Sequence, residues 1–243
     1  AILGTGAHAV DLLRWFAGEV VEAWGAGNHL AYPEFPGDDC QIGPHVVIEG
    51  PTRMGRGNRV FQFASVGAAP QDLAYAGEPT RLEMGDHNII REFVTINRGT
   101  VKDAGVTRIG HHNLFMAYAH VAHDCQLGNH IVMANAATLA GHVTIEDHAI
   151  LGGLCAIHQF ARVGAHAILG GGTMASLDIP PFVMAAGNHA ELHGLNSRGL
   201  ERRGFSSEDL RQLKRAYRAL FRGKGKLEEG IASIREQNLD SPH

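Results

Sequence analysis

The chain has 243 residues, 44% hydrophobic, 19% charged and 7% aromatic, with 21 Lys and Arg against 25 Asp and Glu for a formal charge of -4. That much aliphatic material with so few charges excludes a disordered chain, and no apolar run reaches the roughly 18–20 residues of a membrane span. Three scattered cysteines, Cys40, Cys125 and Cys155, exclude a disulfide scaffold or a zinc cluster; with no signal peptide expected, they fit a reducing cytoplasm. Glycine stands out at 31 residues, nearly twice the roughly 7% of an average protein, and asks for a repeated backbone bend.

In chain order, residues 1–39 form an atypical N-terminal segment. Val10, Leu13, Trp15 and Phe16 predict a helix that Gly18 stops, with a strand after it. Gly4-Thr5-Gly6 lacks the third glycine and the βαβ setting of a dinucleotide fingerprint. Gly6, His8 and Asp11 resemble the G-x-H-x-x-D helix in the C-terminal domain of Gfo/Idh/MocA oxidoreductases, over about 35 residues. The nucleotide-binding half of such an enzyme has no counterpart here, so this resemblance implies no dehydrogenase.

Residues 40–180 carry a six-residue period. From Ile109, steps of six meet Phe115, Val121, Leu127, Met133, Leu139, Ile145, Leu151, Ile157, Val163 and Leu169, all large and apolar. Four residues after most anchors stands something small or β-branched, such as Ala119, Cys125, Ala137, Val143 and Ala149. The same phase runs upstream through Ile42, Ile48, Met54, Val60 and Val66, and again through Met84, Ile90 and Ile96. Neither a helix nor an ordinary strand has this period. It predicts a mainly β chain: a parallel β-helix whose triangular coil takes 18 residues, anchors inward, with glycine or asparagine in the strained corner conformations. Two interruptions, 71–83 and 97–108, leave the coil as loops, where function tends to sit.

Residues 181–243, after Pro180-Pro181, turn helical. Ser206 or Ser207 caps a segment with Leu210, Leu213, Tyr217, Leu220 and Phe221 on one face and Gly223 at its end; Leu227, Ile231 and Ile234 suggest another helix. From Arg198 to Lys226 stand ten basic and three acidic residues. They make either a solvated face or a dock for an acidic partner or phosphates. Nucleic acid is not expected, since no stacking aromatics are interleaved.

The 18-residue coil also stacks side chains that carry chemistry. His123, Gly141 and Gln159 fall at one position of three successive coils, with Asp124, His142 and His158 beside them and His120 three residues earlier. Three readings stay open from the residues alone: corner histidines at a trimer seam, a histidine-ligated metal as in the β-helical carbonic anhydrases, or an acid–base site.

The strings QFASVGAAPQDLAYAGEPT (62–80), INRGT, AHVAHDC, ANAATLAGHV, HQFARVGAHA, DIPPFVMAAGNHA and GLERRGFS resemble the acyl-carrier-protein-dependent UDP-N-acetylglucosamine O-acyltransferases that begin lipid A synthesis. The resemblance covers about 40–243 and implies that the β-helix is left-handed and followed by a small α-helical C-terminal domain. By it, His123 is the general base on the sugar 3-hydroxyl, Asp124 orients it, and the Gly141 N–H receives the oxyanion. Gln71, Asp72, His120, His142, His158 and Gln159 match positions that hold the glucosamine, its diphosphate or the acyl hydroxyl. Asn196, Arg202 and Arg203 match contacts to uridine and to phosphate or pantetheine, and Gly171 matches an acyl-length ruler whose bareness implies a longer 3-hydroxyacyl chain. No metal and no cofactor are implied, the donor being the phosphopantetheine thioester of acyl carrier protein.

Three positions depart from the family pattern. Ala74 stands where the family has lysine, Asn97 where histidine is usual and Arg198 where an acidic residue often meets the ribose. An acceptor bearing a 3-amino group is therefore an alternative, as is acetyl-CoA-dependent sugar acetylation on the same fold. The expected protein is a cytoplasmic homotrimer, without integral membrane segment, that stops at His243 before the family's last helix, so that the helical domain is truncated.

Overall fold

The computed structural model describes residues 22–25, 40–223 and 227–236. Two-residue strands recur on three faces of a prism, each followed by a corner. Face 1 carries His120–Val121, Thr138–Leu139, Ala156–Ile157 and Met174–Ala175. Face 2 carries Gln126–Leu127, Thr144–Ile145 and Arg162–Val163, and face 3 Val132–Met133, Ile150–Leu151 and Ile168–Leu169. In every pair the second residue is buried, and the anchors from Ile109 to Leu169 are at most 5% exposed. One inward side chain per strand fills the prism; the small residue four places on, such as Ala119, Ala137 or Ala149 at 0%, leaves room for the chain to turn.

Pairing is parallel and the register is 18: His120 lies on Thr138, Thr138 on Ala156, and Ala156 on Met174. Where the period breaks, the step lengthens. Ser65 pairs with Thr95, 30 residues on, and Thr95 with His120, 25 on. The extra residues leave at corner 1, the edge between faces 1 and 2, without disturbing the stack. Parallel pairing continues to Val183–Ala186, and Glu191–Leu195 then pairs antiparallel with it.

The strand expected near the N-terminus is Glu22–Gly25, antiparallel to Val46–Glu49. The helix expected before it, and Gly6, His8 and Asp11, lie outside the described residues. At the other end three helices follow: α1 (Ser197–Arg202), α2 (Ser207–Phe221) and α3 (Leu227–Glu236). Ser206, rather than Ser207, caps α2 in a reciprocal capping box with Asp209, and Tyr217 seals the helix on the prism. Among the described residues no helix is long and apolar enough to cross a membrane. The fold is a left-handed parallel β-helix with a small helical part at its C-terminal end.

One expectation fails. The left-handed corner conformations belong mostly to His, Phe and other bulky residues instead of glycine or asparagine. Among the described residues fifteen non-glycines have positive φ, seven of them histidines. Such a conformation costs about 1 kcal/mol or more, but the coil repeats it, so the rings stack on one another. At corner 2, between faces 2 and 3, His87, His112, His130, His148 and His166 form one ladder with ring centroids 4.7–5.1 Å apart. At corner 3, between faces 3 and 1, His45, Phe63, Phe93 and Tyr118 stack likewise at 4.9–5.2 Å.

Candidate active site

His123 and Asp124 turn corner 1 between His120–Val121 and Gln126–Leu127. Asp124 is 1% exposed with φ +59°, so its carboxylate is held under the surface. Its N–H donates to Thr107 Oγ1 (2.9 Å); the Thr100 N–H donates to Oδ1 (2.8 Å) and the Thr100 hydroxyl to Oδ2 (2.6 Å). His123 Nδ1 lies 2.9 Å from the same Oδ2. A carboxylate only accepts, so Nδ1 carries the proton, and in the neutral ring this tautomer leaves the lone pair on Nε2, the form a general base requires.

The register brings the next rung against this imidazole. His142 N–H donates to the His123 carbonyl, and Phe160 N–H to the Gly141 carbonyl, which orders the 123, 141 and 159 positions up the corner. A Cβ on Gly141 would stand 2.4 Å from His123 Cε1 and 2.7 Å from Nε2, so the ring occupies the space a side chain would need. Among the described residues nothing accepts from the Gly141 N–H. His142 presents its ring edge-on to His123 at 5.2 Å, with Nδ1 3.4 Å from Asp103 and Nε2 3.7 Å from Asp124. Donor atoms of His123, Asp124 and His142 all lie within 4.8 Å. The 2.9 Å His123–Asp124 contact is nonetheless a hydrogen bond: ligands of one tetrahedral ion, on bonds of about 2.0–2.2 Å, stand more than about 3 Å apart.

Asp72 joins this corner from the first loop. Lys102 Nζ is 2.6 Å from its Oδ2 and the Ala74 N–H donates to Oδ1 (3.0 Å). The Lys102 hydrogen bond, foremost, holds the carboxyl below its usual range, with His123 adding a smaller pull. Gln71 is exposed beside it, and His120, on face 1, meets Thr95 Oγ1 at 2.7 Å. Burial, then the neighbouring His123, pushes the His120 imidazole below its ordinary value, which favours the neutral ring. One coil above, His158 donates from Nδ1 to the Gln159 carbonyl (3.0 Å), and both side chains are exposed.

Known proteins resemble this chain over most of its length. An acyl-[acyl-carrier-protein]–UDP-N-acetylglucosamine O-acyltransferase of Herminiimonas arsenicoxydans is 58% identical over 77% of this chain and 72% of its own length. Its counterpart in Thiobacillus denitrificans is 56% identical over 81% of this chain and 83% of its own. The chain belongs to this acyltransferase family. Residues 178–243 match the family description "Udp N-acetylglucosamine O-acyltransferase; Domain 2". Solved LpxA structures from Acinetobacter baumannii (44% identity, 83% of this chain, 78% of that chain) and Bacteroides fragilis (39%, 84% and 79%) both superpose with a TM-score of 0.81.

Within one chain, the family-matched positions do not gather at one place. His123, Asp124, Gly141, His142, His158, Gln159, Gln71 and Asp72 share corner 1, with His120 on the adjoining face. Asn196 caps α1 and donates from Nδ2 to the His166 carbonyl; Arg203 reaches the His148 carbonyl at 3.0 Å, so both stand at corner 2, with Arg202 exposed on α1. Gly171 is exposed at corner 3, where a Cβ would meet only the Gly153 carbonyl at 3.4 Å. Of the departures, Ala74 is exposed and gives only its N–H to Asp72, while Lys102 brings a cation to that carboxylate from the other loop. Asn97 is 3% exposed, donates to the Ala69 carbonyl (3.1 Å) and leaves its Oδ1 without a partner. Arg198 is exposed on α1.

Sequence reasoning missed Thr100, Lys102, Asp103 and Thr107. All four fall in the second interruption, 97–108, and Thr100 also ends the family-like string INRGT; a period describes the coil and is silent on where an excursion folds back.

Proposed function

We propose that this chain transfers a 3-hydroxyacyl group from acyl carrier protein to the 3-hydroxyl of UDP-N-acetylglucosamine, the opening step of lipid A biosynthesis. The observation that carries the reading is a buried carboxylate fixing the Nδ1 proton of His123 directly beneath a side-chain-free peptide at Gly141. His123 Nε2 takes the proton of the sugar hydroxyl as its oxygen attacks the thioester carbonyl, and the Gly141 N–H receives the developing oxyanion. Collapse breaks the C–S bond, and His123 returns the proton to the leaving pantetheine thiolate. Neither a metal nor a covalent enzyme intermediate enters this sequence, and no cofactor is called for beyond the carrier's phosphopantetheine.

Asp72, held ionised by Lys102, suits donors on the glucosamine, with Gln71, His120, His142, His158 and Gln159 around it. Asn196, Arg202 and Arg203 face another edge of the prism, and that separation supports a homotrimer in which corner 1 of one protomer meets corner 2 of the next. The basic α2 face (Arg211, Lys214, Arg215 and Arg218) suits an acidic carrier protein, consistent with a cytoplasmic enzyme. In organisation, residues 40–180 serve as the catalytic prism and 181–243 as the docking part.

Mass spectrometry of products from a panel of acyl carrier proteins, with UDP-N-acetylglucosamine and its 3-amino analogue, tests the reading. An ester product is expected, an amide only with the analogue; transfer from acetyl-CoA instead would overturn it. His123→Ala should cut turnover by about 10²–10⁴-fold while the protein stays folded.

A further inference from the structure

The second interruption of the coil delivers four side chains to the site. Thr100 and Thr107 meet Asp124, Lys102 meets Asp72 and Asp103 approaches His142. The neck of this loop closes tightly: a Cβ on Gly99 would stand 2.3 Å from the Val106 backbone nitrogen, so the two legs touch and Thr100, 2% exposed, is driven under the corner. There its hydroxyl hydrogen can be directed only where an acceptor lies, and Asp124 Oδ2 lies 2.6 Å away. That oxygen also accepts from His123 Nδ1 at 2.9 Å, while His142 Nε2 waits 3.7 Å from it as a competing partner.

We infer that Thr100 is a positioning residue for the transfer reaction: its hydroxyl fixes the direction of Asp124 Oδ2, so that the carboxylate holds the His123 imidazole and does not turn to His142. The inference rests on the acyl-transfer reading of the site.

Thr100→Val removes the side-chain hydrogen bond while keeping the shape and the backbone N–H to Oδ1. A hydrogen bond to a charged group is worth about a 10- to 100-fold factor, and kcat should fall by that much with the KM for the sugar nucleotide nearly unchanged. Thr100→Ser, which restores the hydroxyl, should recover kcat to within severalfold, and melting curves of both variants control for folding. Independently of turnover, the proton on His123 Nδ1 should give a slowly exchanging, low-field NMR signal in the native protein and Thr100→Ser, and lose it in Thr100→Val. Native-like kcat in Thr100→Val, equal loss in the Ser and Val variants, or an Nδ1 signal that survives in Thr100→Val would each overturn the inference. If the native protein fails to transfer acyl groups, the reading of the reaction falls, and the Nδ1 signal still decides the role of Thr100.

Discussion

At Gly171 a missing side chain leaves the surface open. It is exposed at corner 3, where face 1 begins, and the same face ends at the His123 corner. A methyl group there fits at ordinary contact distance, so a side chain can be added without displacing the backbone. Gly171→Met is therefore expected to shift donor preference toward shorter acyl carrier proteins without reducing turnover of the best one; competition between chain lengths measures it, and an unchanged ranking would remove Gly171 from chain selection. Gly141 differs, since there the imidazole itself fills the space. At this scale, the alignment of His123 with Gly141 was legible from counting eighteen along the sequence. The Thr100–Asp124 and Lys102–Asp72 pairs were not, because they join positions 24 and 30 apart through loops that keep no period.

The corner ladders belong to the element scale. Five imidazoles stacked about 5 Å apart cannot all be charged at once without mutual repulsion. His148 is the clearest case: burial first, then His130 and Arg203, lowers its affinity for protons, with only Asp147 opposing. A histidine whose folded value lies below the unfolded one, about 6.5, takes up protons on unfolding. Its contribution is complete above that pH and is lost as pH falls below it. Thermal stability should thus drop on acidification from about pH 7 to pH 5. His148→Phe, a residue the corners accept at Phe160 and Phe182, should keep the stack and flatten the drop in a series of melting curves. An equal acid dependence in native protein and variant would place the titrating groups elsewhere. The period revealed the anchors and three-sided coil; it could not reveal the ladders, because ring stacking compensates the backbone strain that local rules assign to glycine.

For the whole molecule, the division of matched residues between two edges makes a prediction of its own. His123→Ala and Arg203→Ala would each be impaired as separate preparations. Refolded or co-expressed together, they should regain activity if the proposed homotrimer brings a protomer with an intact corner 1 against one with an intact corner 2. Random mixing of equal amounts yields about one native pairing in four, so roughly a quarter of native activity is expected. No recovery in verified mixed trimers would mean that each chain works alone. Of the helices at the C-terminal end, α2 and α3 were legible from a cap and apolar faces; α1 was not, nor was where they would lean on the prism, since Arg203 and Asn196 find corner 2 through backbone carbonyls that any sequence would offer.

A column with an 18-residue rung also constrains how such a chain can change its length. Gaining or losing a complete turn below the site slides the machinery along its axis and leaves every catalytic neighbour in place. A six-residue insertion between positions 123 and 141 would instead rotate everything above by a third of a circle, carrying the bare peptide away from the imidazole. Evolution of the shaft should therefore proceed by whole storeys, with smaller insertions admitted only as excursions at the edges.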